Sequence, residues 1–95
     1  MNHHIHLGNT TLTLYITADC HLCEQAQRLI HAALGCPVAE RDIADNDALL
    51  HRYGLRIPVL RRGADGHELN WPFTAGQVRA LIERATADHE GGRTD

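Results

Sequence analysis

Two cysteines three residues apart, in the stretch Ala18-Asp19-Cys20-His21-Leu22-Cys23-Glu24, are the residues of this 95-residue chain best suited to chemistry. On a first helical turn, thiols at i and i+3 lie on one face, roughly 5 to 6 Å apart, which is close to disulfide geometry. A helix N-terminus adds free N–H groups and a partial positive charge, and both favour a thiolate over a thiol. The pair therefore has the makings of a dithiol redox centre, in which one thiolate attacks a disulfide and the second thiol resolves the mixed disulfide. By position Cys20 is the attacker, at the helix cap, and Cys23 is the resolver, a turn inside and toward the core edge. Two blander readings stand beside this one. The cysteines could be inert, half-buried helix residues, or they could donate two of the four ligands of a tetrahedral metal site.

The neighbours of the pair pull in opposite directions. A carboxylate at Asp19 disfavours a thiolate on Cys20, whereas a protonated imidazole at His21 favours it. His21 is placed to tune the thiol or assist proton transfer, or else to face solvent. Cys36 follows the far end of the same predicted helix and lacks its N-terminal environment, so it reads as a buried or bystander thiol. His3, His4 and His6 could bind a transition metal, but the plainer expectation for residues 1–10 is a flexible polar segment.

The elements around these side chains must position them. Thr11 to Thr17 alternates, with Leu12, Leu14 and Ile16 on one face and Thr11, Thr13, Tyr15 and Thr17 on the other, which is the period of a strand. From Leu22 to Leu34 the residues Leu22, Ala26, Leu29, Ile30, Ala33 and Leu34 recur at helical spacing, and Gly35 with Pro37 ends the run. Val38 to Ile43 mixes apolar and charged residues and predicts an exposed edge strand, parallel to the first because a helix intervenes. Asp45 is the expected N-cap of a short helix through Tyr53, stopped at Gly54. Pro58-Val59-Leu60 opens a third strand, residues 61–66 turn, and His67 to Trp71 returns as the fourth strand of a hairpin. Thr74 caps a last helix with the stripe Val78, Leu81, Ile82 and Ala85, and Asp88 to Asp95 reads as a disordered tail. The order β-α-β-α-β-β-α predicts an α/β domain over residues 11–87, a four-stranded mixed sheet with helices on both faces.

Composition fits one small soluble domain, with 43% hydrophobic and 22% charged residues. A formal net charge of −3 gives no reason to expect nucleic acid or an anionic membrane, and all nine basic residues are arginine. No apolar run approaches the ~18 residues of a membrane span. The start Met1-Asn2-His3-His4-Ile5-His6 lacks a signal peptide's apolar core, so a cytoplasmic location is expected. Thiols are kept reduced there, and three cysteines then point to catalysis, redox chemistry or metal binding rather than to a structural disulfide framework.

Cys20-His21-Leu22-Cys23 after the first strand, Ile57-Pro58-Val59 opening the third and a closing helix together resemble the thioredoxin fold, and the short N-terminal form resembles a glutaredoxin. Leu14-Tyr15, Cys20-His21-Leu22-Cys23-Glu24, Arg52-Tyr53-Gly54, Ile57-Pro58-Val59-Leu60 and Trp71-Pro72-Phe73 are more closely similar to the bacterial glutaredoxin-like family, over about residues 11–85. The resemblance implies a thiol–disulfide oxidoreductase with Cys20 as nucleophile and Cys23 as resolving thiol. It implies a cis Pro58 beside the dithiol, with Ile57 offering backbone hydrogen bonds to an extended thiol substrate; His21 joins Ile57 and Pro58 as a candidate substrate-binding residue. No cofactor is implied beyond the redox-active Cys20–Cys23 disulfide, with glutathione as a candidate reductant. Expected partners are thiol or disulfide substrates and glutathione or a reductase, met by a monomer, with no nucleic acid and no membrane.

Typical glutaredoxins carry a basic residue just before the motif, an aromatic within it and a Gly-Gly turn before the last helix. This chain has Thr17-Ala18-Asp19, Leu22 and Asn70-Trp71-Pro72-Phe73-Thr74-Ala75-Gly76 at those places. The helix start at Thr74 could still hold a carboxylate with Arg56, Arg61 and Arg62 as counter-charges, although an arginine cluster solvated around the hairpin is the plainer expectation. Trp71 and Phe73 are expected to staple that helix start. Two rivals remain open: a metal or iron–sulfur module that uses Cys20, Cys23 and His21, and a non-catalytic adaptor that uses Trp71 and the arginines for protein contact.

Overall fold

Leucines at alternate positions commit β1 (Leu12–Ile16) to a buried face, and the computed structural model, which describes residues 11–63 and 65–83, takes Leu14 wholly out of solvent. β1 is a central strand of a four-stranded sheet in the order β2-β1-β3-β4, with β2 at Ala39–Asp42, β3 at Val59–Arg62 and β4 at Glu68–Asn70. β2 is parallel to β1 and joined to it through α1 (His21–Leu34); β3 is antiparallel to β1, and β4 forms a hairpin with β3. α2 (Asp47–Tyr53) links β2 to β3, and α3 occupies residues 75–83. All four residues of β2 are exposed, as an edge strand's should be.

Both sheet faces are covered. One carries Leu12, Leu14 and Leu60 against Ala26 and Ile30 of α1 and against Phe73, Val78 and Leu81. The other is smaller and consists of Ile43, Tyr53 and Val59, with Tyr15, Leu49 and Ile57 packed on them. Tyr15, on the polar side of the β1 alternation, stacks on Tyr53 with ring centroids 4.4 Å apart. Each leucine or isoleucine buried this way contributes about 1.5–3 kcal/mol.

The helix ends follow local chemistry. Gly35 closes α1 with φ +80° and donates its N–H to the His31 carbonyl at 2.8 Å. Asn46, not Asp45, caps α2, because its side chain is the one that accepts the Leu49 N–H, at 3.0 Å. Thr74 and Gln77 form a capping box at α3: Thr74 Oγ1 accepts from the Gln77 N–H at 3.0 Å, and Gln77 Oε1 accepts from the Thr74 N–H at 2.8 Å. Phe73 and Val78, at the staple positions, are both buried, and Trp71 meets the Phe73 ring edge-on at 5.1 Å.

Two further expectations need correction. Leu22 does not belong to the buried stripe of α1 and is 47% exposed. Cys23, Ala26 and Ile30 define the buried line, and Leu22 lies one helical step of about 100° to its side. Arg62 is not solvated: it is 3% exposed, donates to both Asp65 carboxylate oxygens at 2.9 and 2.6 Å, and reaches the Leu81 carbonyl, tying the hairpin to α3. Its guanidinium holds the Asp65 carboxyl well below the usual carboxylate range. Ala85, the segment 1–10 and the tail 88–95 lie outside the described residues.

Candidate functional site

β1 ends at Ile16, and Thr17-Ala18-Asp19 carry the chain to α1. Asp19 takes φ 59°, a left-handed conformation that aspartate adopts more readily than most non-glycine residues, and this turn delivers Cys20 to the N-cap. Cys20 is extended there, and its Sγ accepts the Cys23 N–H at 3.1 Å, the bond that a serine or aspartate cap would make. The Cys20 carbonyl accepts from the Glu24 N–H at 3.1 Å and so begins the helix ladder. Cys20 and Cys23 are joined as a disulfide, with Cα atoms 5.2 Å apart. Cys23 is buried and Cys20 half-buried, so the capping sulfur is the accessible one. Once reduced, that sulfur has the helix N-terminus and an amide donor to favour its charged form.

Ala18, Asp19, His21 and Leu22 surround the pair and are all exposed. His21 begins α1, and its imidazole makes no hydrogen bond or ion pair with another described residue. Cys36, free and half-buried, lies beyond the other end of the 14-residue α1. A helix of that length separates it from Cys20 by roughly 20 Å.

β3 enters the sheet at the same end. Tyr15 pairs with Val59, so Pro58, one residue earlier, falls opposite Ile16, where β1 hands the chain to the dithiol turn. The Ile57–Pro58 peptide is cis, as the resemblance implied, and Pro58 is buried. The Trp71–Pro72 peptide is cis as well, which nothing in the sequence indicated. The Pro58 carbonyl accepts from the Trp71 N–H at 3.2 Å. The Ile57 N–H is committed to the Tyr53 carbonyl at 3.1 Å. Of the two backbone groups expected to meet substrate, the Ile57 carbonyl is thus the one that no described residue occupies.

A polar cluster that the sequence reading missed stands behind this turn. Tyr53 Oη donates to Glu68 Oε2 at 2.7 Å, Arg56 donates to Glu68 Oε1 at 3.2 Å and to Asn70 Oδ1 at 3.0 Å, and Arg52 reaches Glu68 Oε2 at 3.4 Å. Arg61 donates to Tyr53 Oη at 3.3 Å, and the guanidiniums of Arg52 and Arg56 lie 5.3 and 5.1 Å from the Tyr53 ring centre. Burial, and then the bond to Glu68, push the Tyr53 phenol up. Burial alone would push the Glu68 carboxyl up too; the bonds from Tyr53 and Arg56 and the charges of Arg56 and Arg52 outweigh it and hold Glu68 below the usual range. The signal available in the sequence was the run of arginines Arg52, Arg56 and Arg61 around Tyr53, followed by the one glutamate of that region, Glu68.

Among the described residues, no three His, Cys, Asp or Glu side chains are grouped to hold a metal ion, and no helix is long and apolar enough to cross a membrane.

A mixed sheet with α1 and α3 on one face and α2 on the other, a cysteine pair opening α1 and a cis-proline entering β3 define a protein of thioredoxin-like fold. Residues 11–83 match the family model of the glutaredoxin-like domain (DUF836), and the chain belongs to that family. It is similar to protein XcR50 from X. campestris, whose X-ray structure shares 44% identity and a TM-score of 0.70, covering 78% of this chain and 97% of that one. The solution structure of XcR50 gives a TM-score of 0.69. Protein Ne2328 from Nitrosomonas europaea, solved by NMR, is 25% identical with a TM-score of 0.60, over 75% of this chain and 88% of its own. No curated protein matches.

Proposed function

We propose that this chain is a thiol–disulfide oxidoreductase with Cys20 as nucleophile and Cys23 as resolving thiol. The observation that carries the reading is the half-buried Cys20 Sγ at the N-cap of α1, bonded by the Cys23 N–H and paired with the buried Cys23 sulfur. In the reduced protein the Cys20 thiolate attacks one sulfur of a substrate disulfide and the other half leaves as a thiolate. Cys23 then attacks Cys20 Sγ, which restores the internal disulfide and releases the second substrate thiol. Two electrons pass from the dithiol to the substrate, and the two thiol protons go to the departing sulfurs. Oxidised protein meeting a dithiol runs the same steps backwards.

Substrate lies along the end of the sheet where Pro58 enters. The Ile57 carbonyl accepts a substrate N–H, the Pro58 ring bounds the site, and the exposed His21 meets substrate beside the nucleophile. The redox group is the protein's own, and glutathione or a reductase dithiol regenerates it. Intact mass spectrometry tests this: the oxidised wild type is lighter than the reduced form by two hydrogens, and Cys20→Ser shows no such difference. Against a small neutral disulfide such as hydroxyethyl disulfide, Cys20→Ser is inactive, whereas Cys23→Ser accumulates the mixed disulfide. Exchange that survives in Cys20→Ser sinks the assignment.

A further inference from the structure

Three large apolar residues are left exposed among the described residues: Leu22 at 47%, Leu50 at 40% and Leu55 at 103%. Leu22 stands between the two cysteines, while Leu50 and Leu55 flank the turn that runs into cis Pro58. The exposure of Leu55 does not come from a slack backbone. Gly54 donates its N–H to the Leu50 carbonyl at 2.9 Å, and Arg56 and Ile57 both donate to the Tyr53 carbonyl, at 2.8 and 3.1 Å. The Arg56 side chain then ties the same turn to Glu68 and Asn70. A turn held this firmly keeps a leucine in water three residues before cis Pro58, where a second molecule can cover it.

The charge around that turn is uneven. Arg52, Arg56 and Arg61 gather around one carboxylate, Glu68, which leaves a local excess of positive charge in a chain whose net charge is −3. The Arg52 and Arg56 side chains are 55% and 37% exposed. Toward β2, where Asp42 pairs with Ile16, Asp19, Asp42 and Asp45 are exposed, and among the described residues only Asp45 of these has a cationic partner, Arg41 at 3.7 Å. Charge is therefore acidic toward β2 and basic on the side of β3 and β4, where Arg56 stands in the turn before Pro58.

We propose that Leu50, Leu55, Arg52 and Arg56 form the docking surface for a polypeptide partner, a disulfide-bearing segment with carboxylates and an apolar side chain beside its cysteine. This rests on the redox reading above and names its substrate class. Carboxylates of the segment meet the excess guanidinium charge, its apolar side chain covers Leu55, and one of its N–H groups is accepted by the Ile57 carbonyl.

Single turnovers of the reduced full-length protein test it, with three disulfides: a leucine-containing peptide flanked by glutamates, its lysine-flanked counterpart, and hydroxyethyl disulfide as reference. The glutamate peptide is expected to react on the order of tenfold faster than the lysine peptide, a preference that shrinks between about 0.02 and 0.5 M salt as exposed charges are screened. Arg52→Gln and Leu55→Ser are expected to lower the glutamate-peptide rate about threefold to tenfold when each is normalised to the same variant's rate with hydroxyethyl disulfide. Equal wild-type rates for the two peptides, or variant ratios that match wild type, overturn the proposal. So does an equal loss with glutathione disulfide, because the surface would then serve that tripeptide's carboxylates. A protein that reduces none of these disulfides loses the redox reading, and the docking surface with it.

Discussion

Glu68→Gln is the most searching test of how the turn before Pro58 is held. The carboxylate is the shared acceptor of Tyr53, Arg56 and Arg52, and its side chain is only 16% exposed. A hydrogen bond to a charged group contributes about 1.5–3 kcal/mol and a neutral one about 1, so exchanging carboxylate for amide opposite the Tyr53 hydroxyl costs about 1 kcal/mol. The Arg52 and Arg56 side chains are 55% and 37% exposed. Solvent therefore limits each of those bridges to about 0.5 kcal/mol. The total of about 2 kcal/mol corresponds to a fall of roughly 8–16 °C in the midpoint of thermal unfolding for a domain of this size. Far-UV circular dichroism against temperature measures it. The pH dependence follows from the depressed carboxyl of Glu68: the folded chain keeps it ionised at a pH where the unfolded chain takes up a proton. The stabilisation is therefore complete above the ordinary glutamate value of 4.5 and is lost as pH falls through the lower folded-state value. The gap between wild type and Glu68→Gln should close over that acid range. A neutral-pH shift smaller than about 2 °C, or a gap that ignores pH, refutes the energetic role given to this cluster.

Three further perturbations read local features. Gly35→Ala places a side chain at φ +80° with no atom within 4 Å of the new Cβ, so the cost is backbone strain alone; about 1 kcal/mol is expected by urea denaturation, and a stabilised variant would contradict the cap assignment. Thr74→Ala removes one half of the α3 capping box, and a loss of about 1 kcal/mol in the same assay is expected, with no loss counting against the box. Arg62→Met leaves the Leu81 carbonyl without its guanidinium donor and parts the hairpin from α3; a loss of about 1–3 kcal/mol is expected, and an unchanged urea midpoint would show that link to be inert.

Much of the fold could be read from local chemistry. The alternation of Leu12, Leu14 and Ile16, the Gly35 stop and the Thr74 cap each depend on neighbours a few residues away, and the strand and helix periods register them directly. Departures arose where one position had a close competitor. Asp45 and Asn46 are both good caps, and only the path of the chain leaving β2 decides which oxygen reaches the Leu49 N–H. Leu22 fits a helical apolar pattern, yet the rotation of α1 on the sheet leaves it outside the buried line.

The sequence by itself determined the order of elements and the pairing of Cys20 with Cys23, because two cysteines three residues apart at a strand-to-helix junction are a local arrangement. Tertiary structure alone decided which backbone group of Ile57 stays open, that Arg62 is buried, and that Glu68 gathers Tyr53, Arg52 and Arg56. Glu68 lies 12 to 16 residues from Arg56, Tyr53 and Arg52, and Arg62 lies 19 from Leu81, so these groups meet only after the sheet has set its register. Hydrogen bonds and ion pairs between distant segments leave no periodicity behind, so geometry alone reveals them.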